Sequence, residues 1–320
     1  MQLKTAEQLT AEYREIVGSQ GPLATARARG TLEFYDLKAR VEGVSEDSAI
    51  HWILQAQIGT LDKLDVFLPA DREPSSIELL AATRNLFENL VWLELFLLDP
   101  SWGLFFYGQL LKNEQEDLTK MIAKFEAEAR LFEALDEEDS KILHDVYDGI
   151  GDLDDPTGED MTRRRKEHDR RKEDLDRRAR RSFALYAAAA TFNGYSYQAY
   201  LLHNKEIPRY REQLQKIEQR IDAFRTEIAD EAAFKKYLGA WKWRQAAQLV
   251  DMDDQYLFLY SLTSRLLHAT PMNVVTEKEL LEGERITLLE YIAVTVHDVL
   301  EAIERFDFPG KIDAIYVEVG

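Results

Sequence analysis

Proline and glycine punctuate this chain rarely, and that feature restricts its fold more than any other. The 320 residues contain 8 Pro and 15 Gly, which cluster between longer segments. Within those segments, apolar residues recur with the spacing that is typical of amphipathic helices. The sequence therefore predicts an all-α protein, a multi-helix bundle of long antiparallel helices joined by short connections.

The predicted helices begin and end at these clusters. A first helix from Thr5 to about Val17 should end at Gly18–Pro22, and a second should cover residues 25–41. Ser75 and Glu78 form a capping box, which opens a strongly apolar helix that runs to about Leu98. Further helices are predicted over residues 45–67, 101–135, 159–202 (as one helix or two in line), 209–228, 241–250, 253–269 and 277–306.

The chain divides, in this interpretation, into three parts. Residues 1–72 form an N-terminal helical extension, and residues 73–309 form the bundle core, with a charged insertion at about 133–181. Residues 310–320 form a C-terminal tail, in which Ile312–Val319 alternates and is rich in β-branched residues. That pattern predicts a short β-like strand or an arm that pairs with another segment.

Composition excludes several classes of protein. The chain has no cysteine, which excludes disulfides, thiolate metal sites and a cysteine nucleophile. The N-terminal segment carries charges throughout, unlike a signal peptide. The apolar stretch Leu86–Leu111 is interrupted by Glu88, Glu94 and Asp99–Pro100, so it is not predicted to span a membrane. We expect a soluble, cytoplasmic protein that does not contact a membrane.

The most specific local pattern is a polar stripe formed by Tyr260, Ser264 and His268. These residues are spaced four apart in an otherwise apolar helix, so they lie on nearly the same face. One interpretation is a buried tyrosine and serine that bond to backbone carbonyls, with a core histidine. The other is a stripe that faces a cleft, with His268 as acid, base or ligand and Arg265 beside it.

A second polar pair interrupts the apolar helix of residues 75–98. Arg84 and Glu88 are also four residues apart, and a buried charge needs a partner. The pair is either an internal ion pair that fixes helix packing, or a site where Arg84 binds an anionic substrate while Glu88 holds its guanidinium. Because buried polar groups find one another, we expect this pair to approach the polar stripe.

These two patterns together resemble the bacterial domain-of-unknown-function family numbered 5677. The resemblance rests on Arg84-x-x-x-Glu88 in an apolar helix that ends near Asp99-Pro100, and on the polar stripe, and it covers roughly residues 50–300. It implies a helical fold without a settled activity. More distantly, the chain is similar to the HEPN ribonucleases of toxin and phage-defence systems, although only two residues separate Arg265 from His268, fewer than is usual there.

Charge is distributed unevenly along the chain. The formal net charge of -19 excludes a uniformly basic nucleic-acid binder, so any contact with phosphate requires a local patch. Residues 133–160 hold twelve Asp or Glu against Lys141, and residues 163–181, the basic strip, hold eleven Arg or Lys against five acidic residues. The strip is either a solvated helix face that neutralises the acidic segment, or an RNA-binding surface. The predicted RNA-binding residues are Arg163, Arg164, Arg165, Arg170, Arg171 and Arg177.

Two functions follow from these patterns. The first is a nucleic-acid-directed effector, a metal-independent ribonuclease of toxin or phage-defence type, in which His268 is the acid or base and Arg84 or Arg265 stabilises the developing charge. The second is a non-enzymatic sensor or scaffold that binds a protein partner or forms a homodimer. No cofactor or metal is expected, because glycine-rich nucleotide motifs, HExxH and repeated Glu-x-x-His pairs are absent. The candidate catalytic set is Arg84, Glu88, Tyr260, Ser264, Arg265 and His268.

Overall fold

The computed structural model describes residues 4–42, 48–68, 72–148, 158–267 and 279–307, and every regular element in them is helical. The all-α prediction is confirmed for these residues, whereas the predicted strand at 312–319 lies outside them. A π-helical turn, Leu202–Glu206, follows the seventh helix. The helices are α1 (Ala6–Glu42), α2 (Ser48–Phe67), α3 (Ser76–Leu98), α4 (Trp102–Tyr147), α5 (Gly158–Arg181), α6 (Ala187–Asn193), α7 (Tyr195–Leu201), α8 (Ile207–Ile228), α9 (Glu231–Tyr237), α10 (Trp243–Leu249), α11 (Asp253–Leu267) and α12 (Glu282–Arg305).

The chain separates into two compact units. The terminal unit combines residues 1–109 with 232–320, and the central unit consists of residues 110–231. Helix α1 contributes to the same apolar core as α3 and α12. The predicted division of the chain at residues 72 and 309 stays a prediction. Within the described ranges, no helix combines the length and the apolar run that crossing a bilayer requires.

The apolar helix α3 is central to the core of the terminal unit. It contacts α12, α11, α2 and α10, and α1 contacts both α2 and α12. Leu86, Phe87 and Val91 of α3 and Ile292 and Val296 of α12 are fully shielded from solvent. Each side chain of this size stabilises the fold by roughly 1.5–3 kcal/mol when it is fully buried. The apolar sequence of α3 therefore becomes the packing surface that its neighbours share.

Helix α1 is continuous and contains Pro22 in its interior, so the predicted helix end at Gly18–Pro22 is wrong. Proline removes a backbone hydrogen bond and normally ends or kinks a helix. Here Val17 and Ala28, on either side of Pro22, are buried in one core, and α1 packs along α2 and α12. Tertiary burial on both sides of the proline outweighs the local signal.

The predicted capping box at the start of α3 is confirmed. The Ser75 amide donates a hydrogen bond to Oε2 of Glu78 at 2.7 Å, and the Glu78 amide donates to Oγ of Ser75 at 3.3 Å. The side chain of Arg72 and the Ser75 amide stabilise the charged Glu78 carboxylate and lower its pKa to about 2. These bonds satisfy backbone donors that have no partner within the helix.

Replacing Ser75 by alanine should destabilise the terminal unit modestly. The loss of an N-cap hydrogen bond costs about 1 kcal/mol, which corresponds to a decrease in Tm of about 2–4 °C. Thermal unfolding followed by tryptophan fluorescence measures the change. Ser75→Asp retains an N-cap acceptor and should unfold close to the wild-type temperature. Equal losses in both variants would contradict a capping role.

The core of the central unit is formed by α4 to α7, the π-helical turn and the start of α8. Phe132, Leu135 and Leu202 are completely buried, and α4 extends to Tyr147, well beyond the predicted end at Leu135. The hydroxyl of Tyr195 donates a hydrogen bond to Asp176. Burial, together with this bond, raises the pKa of Tyr195, so its hydroxyl remains a donor.

The predicted helix over residues 159–202 is wrong, because the chain turns twice within it. Helix α5 ends at Arg181, Phe183 has a φ of 55°, and Gly194, between α6 and α7, has a φ of 88°. Glu128 of α4, only 1% exposed, accepts hydrogen bonds from the amides of Leu185 at 2.8 Å and Tyr186 at 2.6 Å. This buried carboxylate supplies the acceptors that the interrupted helix no longer provides.

Candidate functional site

Three of the predicted site residues meet on two helices of the terminal unit. Arg84 and Glu88 lie one turn apart on α3, and Tyr260 lies on α11, which packs against α3. Nε of Arg84 donates a hydrogen bond to Oε1 of Glu88 at 2.9 Å, and the Tyr260 hydroxyl donates to the same oxygen at 2.6 Å. The predicted approach of the Arg84–Glu88 pair to the polar stripe is confirmed at Tyr260.

The Tyr260 ring also holds the guanidinium of Arg84. The Cζ atom of Arg84 lies 4.1 Å from the centre of the ring, within the range of a cation–π interaction. Tyr256 lies next to Tyr260 on α11, with the two ring centres 4.1 Å apart. The guanidinium is therefore fixed on one side by a carboxylate and on another by an aromatic face. We call Arg84, Glu88 and Tyr260 the arginine cluster.

Burial and hydrogen bonding determine the ionisation of the arginine cluster. Burial is the main cause of the raised pKa of Tyr260, and the hydrogen bond to Glu88 adds to it, so the hydroxyl stays protonated. Burial is the largest single effect on the pKa of Arg84 and lowers it, but the hydrogen bond to Glu88 and the interactions with Tyr260 together outweigh it, so the pKa is raised. The cluster thus holds a permanent cation beside a neutral phenol.

The arginine cluster is only partly shielded from water. The side chain of Arg84 is 39% exposed and that of Glu88 is 23% exposed. Because Nε is bonded to Glu88, the outer nitrogens of the guanidinium keep donor capacity for an anion. The geometry is therefore compatible with both interpretations, a packing contact between α3 and α11 and a pre-oriented binding group for a phosphate or carboxylate.

The remaining candidate catalytic residues are less completely placed. Ser264 and Arg265 lie on α11, one turn beyond Tyr260, but their side chains are outside the described part of the structure. His268 lies outside the described residues altogether. Their relation to the arginine cluster therefore rests on the helical spacing and stays a prediction. Among the described residues, no group of Asp, Glu and His is arranged to hold a metal ion.

The basic strip lies on α5, and most of its cations form ion pairs. Ion pairs between residues three or four positions apart neutralise much of its charge. They join Asp160 to Arg163 and Arg164, Glu167 to Arg170 and Arg171, and Glu173 and Asp174 to Arg177. Five of the six predicted RNA-binding arginines are in these pairs; Arg165 is exposed and has no ion pair among the described residues.

Acidic residues of α4 neutralise the strip from a second side. Oε1 of Glu138 accepts a hydrogen bond from Nη2 of Arg178 at 2.9 Å, and Asp139 lies 3.7 Å from Nζ of Lys172. Nη1 of Arg164 donates to the carbonyl of Val146 at 2.5 Å, at the C-terminal end of α4. Arg164, at 22% exposure, therefore caps a helix end, where a cation is favourable.

Sequence reasoning missed two sets of residues. Glu128, which organises the turn before α6, lies in a helix with many exposed glutamates, and nothing in the sequence distinguishes it from them. A cavity lined by Arg27, Thr31 and Gln57 lies in the terminal unit, where the sequence predicted helices but no binding site. Both features depend on tertiary contacts, which no local sequence pattern indicates.

Comparison with known proteins adds no relative. No family model, no curated protein and no solved structure matches this chain significantly. The resemblance to domain-of-unknown-function family 5677 and to the HEPN ribonucleases therefore stays a prediction.

Proposed function

We propose that this chain is a nucleic-acid-directed effector that cleaves RNA without a metal ion, with the arginine cluster as its phosphate-binding group. The observation that supports the proposal is the orientation of the Arg84 guanidinium, fixed by Glu88 and the Tyr260 ring yet partly open to solvent. A guanidinium held in this way loses little side-chain conformational entropy when it binds a phosphate, and it keeps its charge at any ordinary pH.

The proposed reaction is an attack within the RNA strand. A base removes the proton of a 2′-hydroxyl, whose oxygen attacks the adjacent phosphorus. The 5′-oxygen leaves with a proton from an acid, and a 2′,3′-cyclic phosphate remains. Arg84 would stabilise the negative charge on the phosphorus oxygens, and His268, eight residues after Tyr260, would supply or accept a proton.

A second function is favoured by the neutralised basic strip. Ion pairs with α4 and within α5 neutralise many of the cations that would follow an RNA backbone. The alternative is therefore a non-enzymatic sensor or scaffold that binds a protein through its helices. In that case the arginine cluster acts as an internal clamp between α3 and α11.

Cleavage of a labelled single-stranded RNA separates the two functions. Arg84→Met should lower the cleavage rate by about 10²–10³-fold, as expected for the loss of one charged donor to the transition state. His268→Ala should lower it by about two orders of magnitude. Arg305→Met is the matched control, because Arg305 is 56% exposed and has only long ion pairs, of 3.9 and 4.0 Å, with Glu94 and Glu301.

Far-UV circular dichroism of each variant verifies that the helices are retained. If the wild-type chain does not cleave RNA, or if Arg84→Met and His268→Ala cleave as fast as Arg305→Met, the ribonuclease proposal is wrong. The scaffold function then becomes the better one.

A further inference from the structure

A cavity of about 370 Å³ lies among α1, α2 and α12 of the terminal unit. This size falls within the range of sites that hold small molecules. Its walls include the apolar side chains of Leu23, Leu54, Leu300 and Ile303. None of the described residues that line it belongs to the arginine cluster, so it is a separate feature of the molecule.

Three polar side chains line the cavity, and one of them has a buried atom without a hydrogen-bond partner among the described residues. Gln57 is 3% exposed and Thr31 is 4% exposed, and both line the cavity. Nε of Arg27 is buried and has no hydrogen-bond partner among the described residues. Most buried polar groups in folded proteins are hydrogen-bonded, because an unsatisfied one costs roughly 1–3 kcal/mol. The unpartnered Nε of Arg27, beside two other buried polar side chains at one cavity, points to a partner from outside the protein chain.

The helices place these groups to converge. Arg27 and Thr31 are one turn apart on α1 and therefore lie on one face of that helix. Gln57 reaches the same cavity from α2. An arginine, an amide and a hydroxyl offer several donors with one positive charge, a set that suits an anionic group with two oxygens.

The charges around the cavity indicate the sign of the ligand. Arg27 has no ion pair among the described residues, and its Nε is shielded from water. Glu304, the other charged residue in the wall, is exposed and has an interaction of its own. A hydrated carboxylate at the rim has less need of a counter-ion than a guanidinium whose Nε is buried without a partner. The local chemistry therefore favours an anion despite the net charge of -19.

We propose that this cavity binds a small organic anion, a carboxylate joined to an apolar body. The carboxylate would bond to Arg27 with help from Thr31 and Gln57, and the apolar body would lie against Leu54, Leu300 and Ile303. A site of this kind gives the protein a small-molecule input that does not depend on the proposed RNA cleavage.

Calorimetric titration of the full chain with three probes of equal chain length tests the proposal. Octanoate, octanol and octylammonium share an apolar body and differ in the head group. Octanoate should bind roughly 10- to 100-fold more tightly than octanol. This is the difference expected for the charge-assisted hydrogen bonds between a carboxylate and Arg27. Octylammonium should bind no more tightly than octanol, because its charge would lie beside that of Arg27.

Two matched variants locate the site. Arg27→Met retains the length of the side chain but removes the charge, and it should bind octanoate and octanol equally. Arg29→Met lies two residues away on α1 and removes a surface ion pair with Asp62 instead, so it should bind octanoate as the wild type does. Ala24→Leu fills part of the cavity and should weaken all three probes at least tenfold.

The Tm without ligand provides a readout that does not depend on binding. Arg27→Met should raise it, because a side chain with a buried, unpartnered Nε is replaced by an apolar one, whereas a structural arginine would lower the Tm when removed. The proposal is overturned if octanoate does not bind to the wild type, if octanol or octylammonium binds as tightly as octanoate, or if Arg27→Met leaves the preference for octanoate unchanged. RNA cleavage is measured separately, so failure of either proposal leaves the other standing.

Discussion

Replacing Glu128 by alanine should lower the free energy of unfolding of the central unit by about 3–5 kcal/mol. The carboxylate is almost completely buried and accepts the amide hydrogens of Leu185 and Tyr186. Alanine leaves both amides without an acceptor and creates a small void next to Ala129, Phe125 and other core residues. Denaturation by urea, followed by far-UV circular dichroism, measures the loss.

Glu126→Ala is the matched control for Glu128→Ala. Glu126 lies on the same helix, is 36% exposed and pairs with Arg211 at the surface, so its removal should cost less than about 1 kcal/mol. All five tryptophans belong to the terminal unit, so tryptophan fluorescence reports that unit, and a comparison with circular dichroism shows which unit unfolds. Equal losses in the two variants would show that Glu128 does not organise the turn.

The sequence was sufficient to predict elements whose causes are local. The capping box of α3 depends on two residues three positions apart, and the apolar run of α3 requires burial whatever its neighbours are. The meeting of Glu88 with Tyr260, 172 residues later in the chain, was also predictable. Polar residues in apolar helices need hydrogen-bond partners, and the sequence has few other polar residues in apolar helices that could pair with Glu88.

The wrong predictions concern places where a distant contact outweighs a local rule. Pro22 carries a strong signal for a helix end, yet α1 continues because its two halves pack into one core. The segment after Arg181 is rich in alanine and has high helix propensity, yet it turns because Glu128, 57 residues earlier, accepts its amide hydrogens. Such contacts leave no periodic trace in the sequence.

The structure of the two charged segments was predicted only in part. The opposite signs of residues 133–160 and 163–181 indicated mutual neutralisation as one of two outcomes, and the pairs of Arg178 with Glu138 and of Lys172 with Asp139 support it. Composition gave the total charge of each segment. It did not give the pairing, which depends on the side of α5 that faces α4.

Replacing Gly103 by alanine should destabilise the terminal unit by about 3 kcal/mol or more. Gly103 lies in the first turn of α4, and a Cβ atom there would approach the carbonyl oxygen of Ala49 in α2 to 2.2 Å. The obstacle is backbone, so no rotation of a side chain relieves it, and α2 or α4 must move. Trp52 of α2 stacks on Tyr107 of α4 with ring centres 4.0 Å apart, so tryptophan fluorescence during urea denaturation should report the loss directly.

Gly59→Ala is the matched control, and it should change stability in the opposite direction. Gly59 lies inside α2, and a Cβ atom there meets no other atom within 4 Å. Alanine at an unobstructed helical position stabilises by roughly 0.5–1 kcal/mol, because it restricts the unfolded chain and favours the helix. Opposite signs for the two substitutions would establish that steric contact, and not helix propensity, keeps glycine at position 103. If Gly103→Ala instead gained stability as Gly59→Ala does, the first turn of α4 would not lie against the backbone of α2.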